Sequence, residues 1–109
     1  MKKVYLLMRD DFFENGNAGD ILDKPEYKPT TTFFFMDLWY AAEKNNSKVF
    51  PTDPQMLAEI TGAPAEKIPH ALDVLHKEHL IEYVTFPDDV KTYFTLIDIP
   101  ELKTGRDEE

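Results

Sequence analysis

Along residues 51–81 the apolar positions return at helical spacing, first at Leu57 and Ile60 and then at Ile68, Ala71, Leu72 and Leu75. Leu80 and Ile81 then open an extended run. Local signals bound the two helical stretches. Thr52 or Asp53 offers a capping oxygen, Pro54 suits the first helical position, Gln55 can close a capping box, and Gly62 supplies a stop. The pattern predicts helices over 53–61 and 65–79 with a tight turn between them. Residues 80–86 and 92–99 are rich in β-branched and aromatic side chains and flank Pro87, Asp88, Asp89, Val90 and Lys91, which predicts a hairpin over 83–97.

Upstream the periodicity is less regular. Val4–Met8 favours a strand. Phe12 and Phe13 follow, pinned between Asp10, Asp11 and Glu14, and either plug the core or anchor a partner. Residues 15–29 hold Gly16, Gly19, Pro25 and Pro29 and read as a long loop with room for one helical turn at 20–23. The stretch that starts at Thr30, TTTFFFMDLWYAAEK, is apolar on nearly every azimuth, with one polar strip through Thr30, Asp37 and Lys44. It predicts a helix over 30–45, capped by a threonine and favoured by Lys44 near its C-terminal end. A helix apolar nearly all round is buried on most sides, so its far side is covered by residues 5–13 or by another copy of the chain. Val49 and Phe50 suit a short strand, and residues 101–109 carry charge without apolar periodicity and are expected to fray.

Short helix, turn, longer helix and hairpin make the order of a winged helix-turn-helix. The expected fold is α+β, with three helices, a C-terminal hairpin wing and a short N-terminal strand over residues 1–100, then an acidic, disordered tail at 101–109.

Composition narrows what such a fold would do. The 109 residues are 42% apolar, which suits one globular domain with a modest core. No cysteine is present, which excludes disulfides and thiolate metal sites. The apolar start is cut off by Arg9, Asp10 and Asp11, so it is neither a signal peptide nor a membrane span, and a cytoplasmic location is expected. The net charge of −9, from 21 acidic against 12 basic residues, speaks against duplex binding, whose affinity comes mainly from phosphate contacts.

The predicted third helix sharpens this point. Its core face takes Ala71, Leu72, Leu75 and His79, and its outward, candidate recognition face takes Glu66, His70, Asp73, Val74 and Lys77. Pro69 removes a backbone donor from the first turns, and Asp88 and Asp89 occupy the wing tip where a duplex reader places Arg or Lys. Nucleic-acid binding is expected to be weak or absent. His70, His76 and His79 do not make a metal site, because only His76 and His79 share a side and no third ligand is near. There is no phosphate loop, nucleophile context or HExxH, so no enzymatic activity, cofactor, metal or small-molecule substrate is expected.

In order, Tyr5-Leu6-Leu7-Met8-Arg9-Asp10-Asp11-Phe12-Phe13, the aromatic helix, Leu57-Ala58-Glu59, Ala71-Leu72, Leu75 and Leu80-Ile81-Glu82 form a pattern that resembles a known family. It is similar to the N-terminal domain of phage replisome organisers, relatives of DnaD-type primosome proteins, over residues 3–83. His79 stands where that family has glycine, Pro69 interrupts the third helix, and basic residues are sparse. The chain also stops before the helicase-loading and DNA-binding half of such proteins. The resemblance implies a non-enzymatic module of DNA replication initiation that works through protein–protein contacts or self-association. Phe12, Phe13, Trp39 and Tyr40 are the candidate interface. Two other readings stand beside it. A small acidic phage-type inhibitor of the anti-defence kind would present Asp88, Asp89, Glu101 and residues 107–109 to a host protein's basic groove. A DNA-binding regulator would use Glu66, His70, Asp73 and Lys77.

Overall fold

The computed structural model describes residues 3–12, 14, 19, 22, 24–25, 30–100 and 102–106. Its elements run β1 (Val4–Met8), α1 (Thr30–Asn45), β2 (Val49–Pro51), α2 (Pro54–Thr61), a 3₁₀ turn at Ala65–Lys67, α3 (Ile68–Lys77), β3 (Ile81–Thr85), β4 (Thr92–Leu96) and β5 (Leu102–Arg106). The fold is α+β, with three helices and two small antiparallel sheets. One sheet has the order β2-β4-β3, and the other is a ribbon of β1 and β5.

Each helix ends on a residue in the left-handed conformation. At α2 this is Gly62, φ 79°, whose N–H donates to the Ala58 carbonyl at 2.8 Å. At α1 it is Asn46, φ 52°, and the next N–H, that of Ser47, reaches back to Ala42 at 3.1 Å. At α3 it is His79, φ 62°, and the Leu80 N–H reaches back to Leu75 at 2.8 Å. Both longer returns satisfy a terminal carbonyl five residues back, and at α3 the return also sets Leu80 and Leu75 together in the core. His79 therefore turns the chain and stays exposed, rather than joining the core face of α3 as its spacing predicts. The 65–79 helix is also shorter than expected. Pro69 has no N–H to give, so residues 65–67 close as a 3₁₀ turn and the α-helix runs only from Ile68 to Lys77.

The start of α2 follows its sequence signals. Asp53 is the cap, its carboxylate accepting the Gln55 backbone N–H at 3.0 Å, and Pro54 occupies the first helical position. Thr52 is used elsewhere, its hydroxyl donating to the Thr92 carbonyl at 3.1 Å and tying the chain to β4.

Helix α1 is the centre of the core. Phe34, Phe35, Leu38, Trp39, Ala41 and Ala42 are buried, with Phe35 and Trp39 edge to face at 6.3 Å. The ribbon packs on α1 from one side and α2 and α3 from the other, so most of its cover comes from the chain itself. Its polar strip differs from the expected one: Phe33 and Tyr40 lie exposed in line with Asp37 and Lys44, and Thr30 is half-buried. Phe12 is a core plug, 1% exposed, and Gly19 sits so close that a β-carbon there would overlap the Phe12 ring. Leu22 is buried beside it, and its carbonyl accepts the Thr32 hydroxyl at 2.5 Å, which fastens this segment to α1.

The expected frayed tail at 101–109 is corrected by β5. Residues 102–106 pair with β1 along its full length, from Val4 opposite Arg106 to Met8 opposite Leu102. Leu102 is buried under the ribbon, Lys103 points out, and the absent side chain of Gly105 leaves room for the Tyr5 ring to lie across the strand. The domain thus extends past residue 100. Glu101, residues 107–109 and most of the helical turn expected at 20–23 lie outside the described residues.

Candidate protein-interaction surface

The outward face of α3 is built as its spacing predicts, with one exception. Glu66, His70, Asp73 and Lys77 are exposed, whereas Val74 is buried. Losing Val74 leaves that face two acids, one lysine and one histidine. His76 packs its ring against Tyr83 of β3 at 4.7 Å, and burial, with the Asp73 charge behind it, raises the Tyr83 hydroxyl above its ordinary pKa of 10.0. Among the described residues no three of His, Asp and Glu converge as a metal site would require.

The loop between β3 and β4 is held by Asp89. Its backbone N–H donates to the Phe86 carbonyl at 3.1 Å, and its carboxylate accepts the Lys91 N–H at 2.9 Å and the Tyr93 hydroxyl at 2.6 Å. The Tyr93 hydroxyl, then the Lys91 N–H, holds the Asp89 carboxyl below the ordinary 3.8. The same bond raises the Tyr93 hydroxyl above its ordinary value. Phe86 stands edge-on to Tyr93 at 5.4 Å and braces the other side of the loop. The acidic wing tip is therefore a fastened one. It presents Asp88, Lys91 and, between them, a fully exposed Val90, with Phe86 half-exposed at its base.

Beside this loop lies a cleft of about 410 Å³, walled by Pro51, Met56 and Tyr93 and edged by Asp53 and Lys91. Met56 is half-exposed on α2. Loop tip and cleft thus form one surface of apolar side chains rimmed by isolated charges of both signs, the composition of a protein-contact patch.

Of the candidate interface residues, Phe12 and Trp39 belong to the core, Tyr40 is exposed on α1, and Phe13 lies outside the described residues. The Trp39 indole Nε1 is buried without an acceptor, while Lys48, ion-paired with Asp98, stands 5.5 Å over its ring. Of the candidate mimic residues, Asp88 is free on the surface, Asp89 is committed within the loop, and Glu101 lies outside the described residues. The exposed Phe33, Met56, Phe86 and Val90 are absent from the candidates that spacing picks out. For Val90 there is a signal: a β-branched residue set among Asp88, Asp89 and Lys91, where burial has nothing to offer it. No described helix is long and apolar enough to cross a membrane. Compared with known proteins, the chain matches no family model, no curated protein and no solved structure.

Proposed function

We propose that this protein is a winged-helix module that acts in the initiation of DNA replication through protein–protein contacts and not by reading DNA. The order α1, β2, α2, α3 and the β3–β4 hairpin supports the winged-helix assignment, with α3 in the recognition position and the residue 86–91 loop as the wing. Replication rests on the resemblance of residues 3–83 to replisome-organiser N-terminal domains. His79 adds to that resemblance, because the position where the family has glycine is the one that needs a left-handed backbone.

One observation carries the preference for protein over DNA. At the two places where a winged-helix reader sets several cations against phosphate, this chain sets Glu66 and Asp73 against the single Lys77 on α3, and Asp88 and an exposed Val90 beside the single Lys91 on the wing. Asp89, pinned by Tyr93, keeps that apolar tip in place before any partner arrives, which lowers the ordering cost of binding. The partner implied is a replication protein with an apolar recess for Val90 and Phe86.

Two measurements test this. Anisotropy against random duplex at ~0.15 M salt should give affinity no tighter than ~10⁻⁴–10⁻⁶ M, unchanged by Lys77→Ala. Capture of purified replication initiation and helicase-loading proteins should succeed and drop at least ~10-fold with Val90→Asp. Nanomolar binding to one duplex sequence, lost with Lys77→Ala, would reverse the assignment.

A further inference from the structure

Helix α1 carries a second unpartnered surface, on a different element from the wing. Phe33, Asp37, Tyr40 and Lys44 fall within about 60° of one another around the helix axis. Phe33 is 61% exposed, and Tyr40 is exposed beside Ile60 of α2. Asp37, Tyr40, Lys44 and Ile60 line a cleft of about 400 Å³ between α1 and α2, and Phe33 stands exposed one turn before Asp37. Among the described residues neither Asp37 nor Lys44 has an ion-pair partner, and partial burial raises the Asp37 carboxyl above its ordinary value. Two aromatics and an isoleucine in contact with solvent, flanked by one unpaired acid and one unpaired base, form a face that awaits a complement.

We infer that the complement is a second copy of this chain, its α1 packed antiparallel on the first about a twofold axis that crosses the helix at Tyr40 and Ala41. The charge pattern selects this occupant. Asp37 and Lys44 lie seven residues apart, about 10.5 Å along the axis. An axis midway between them sets Asp37 of each copy opposite Lys44 of the other, forming both ion pairs at once. That is the self-complementarity an isologous contact requires. Tyr40 then meets its own counterpart at the axis, and Phe33 and Ile60 close the apolar patch on either side. A duplex or an acidic segment would meet Asp37 with repulsion, and a basic segment would meet Lys44. The inference deepens the reading of the domain as a protein-contact module and rests on it.

Sedimentation velocity on the full chain across a wide concentration series tests it. The wild type should pass from monomer to dimer. Asp37→Lys and Lys44→Asp should each weaken association about 10-fold or more, because each homodimer then holds two like-charge contacts. An equimolar mixture of the two variants should regain the dimer, since the new Lys at 37 meets the new Asp at 44 in one pair and the unaltered Lys44 meets the unaltered Asp37 in the other; that recovery also shows that both variants are folded. A wild type that stays monomeric, a dimer indifferent to both variants, or a mixture that does not recover would each overturn it. Partner capture sensitive to Val90→Asp would survive any of those results, so failure here is distinct from failure of the proposed function.

Discussion

A β-branched or imidazole-bearing residue in the left-handed region is strained where glycine is not, and His79 is such a residue at φ 62°. Its side chain is exposed, so His79→Gly should raise stability by about 1 kcal/mol, after allowing for the greater freedom of glycine in the unfolded chain. A thermal melt should show the gain as roughly 4–8 °C in Tm, and no gain would mean that the imidazole holds something the fold needs. Asp89 makes a prediction of a different kind. Its folded-state pKa lies below that of an unfolded aspartate, about 3.9, so its contribution to the loop is present at neutral pH and is lost as pH falls through the lowered folded value. The Val90 and Lys91 amides should titrate together with a midpoint below 3.8, and Asp89→Asn should abolish that transition while leaving α3 unperturbed. Val90 itself illustrates what one residue's surroundings hide. Its composition-level context is an acidic loop, and the Tyr93 hydroxyl, four residues past Asp89 and on the next strand, is the non-local tie that helps make that loop a fixed support.

Elements whose stabilising signals lie close in sequence were legible, and those that depend on distant partners were not. α2 and the hairpin follow from caps, Gly62 and two β-rich runs, all within a few residues of the structure they specify. α3 was legible as a helix but not in its start, because Pro69 and the 3₁₀ turn trade positions within one turn of chain. β5 gave almost no local signal: Leu102 is its one large apolar residue, and its hydrogen-bonding partner, β1, lies about a hundred residues away. Leu102→Ala therefore discriminates between a tail and a strand. As part of the core it should cost about 2–5 kcal/mol in denaturant unfolding, whereas in a frayed tail it would cost nothing. The candidate surfaces divide the same way. The α3 face was read correctly at Glu66, His70, Asp73 and Lys77 by azimuth alone, while Val74, which azimuth sets on the same face, is buried. The hydrophobic pattern also misled at α1, where Phe33 and Tyr40 sit on the exposed strip with Asp37 and Lys44 although aromatic type alone would assign them to the core.

At the scale of the molecule, the net charge of −9 is carried by a body of 41 × 40 × 25 Å, several screening lengths of ~8 Å across. Its surfaces therefore act as separate electrostatic neighbourhoods, and the acids around α3 and the wing weigh on a duplex there more than the total does. α2 links the two apolar surfaces. Met56 lines the cleft beside the wing and Ile60 the cleft beside α1, one helical turn apart on an eight-residue helix. A second copy on α1 and a partner on the wing would thus rest on one short rod, and tilting it would be felt at both. The ribbon has another consequence, which concerns time. During synthesis β1 is made first and must wait, unpaired, until β5 has emerged, so the side of α1 that the ribbon covers stays bare while every other element is already able to fold. An aromatic helix face left uncovered for that interval is a site for a chaperone, or for a neighbouring nascent copy, to occupy first. The last strand to pair therefore acts as the latch that ends the chain's exposure.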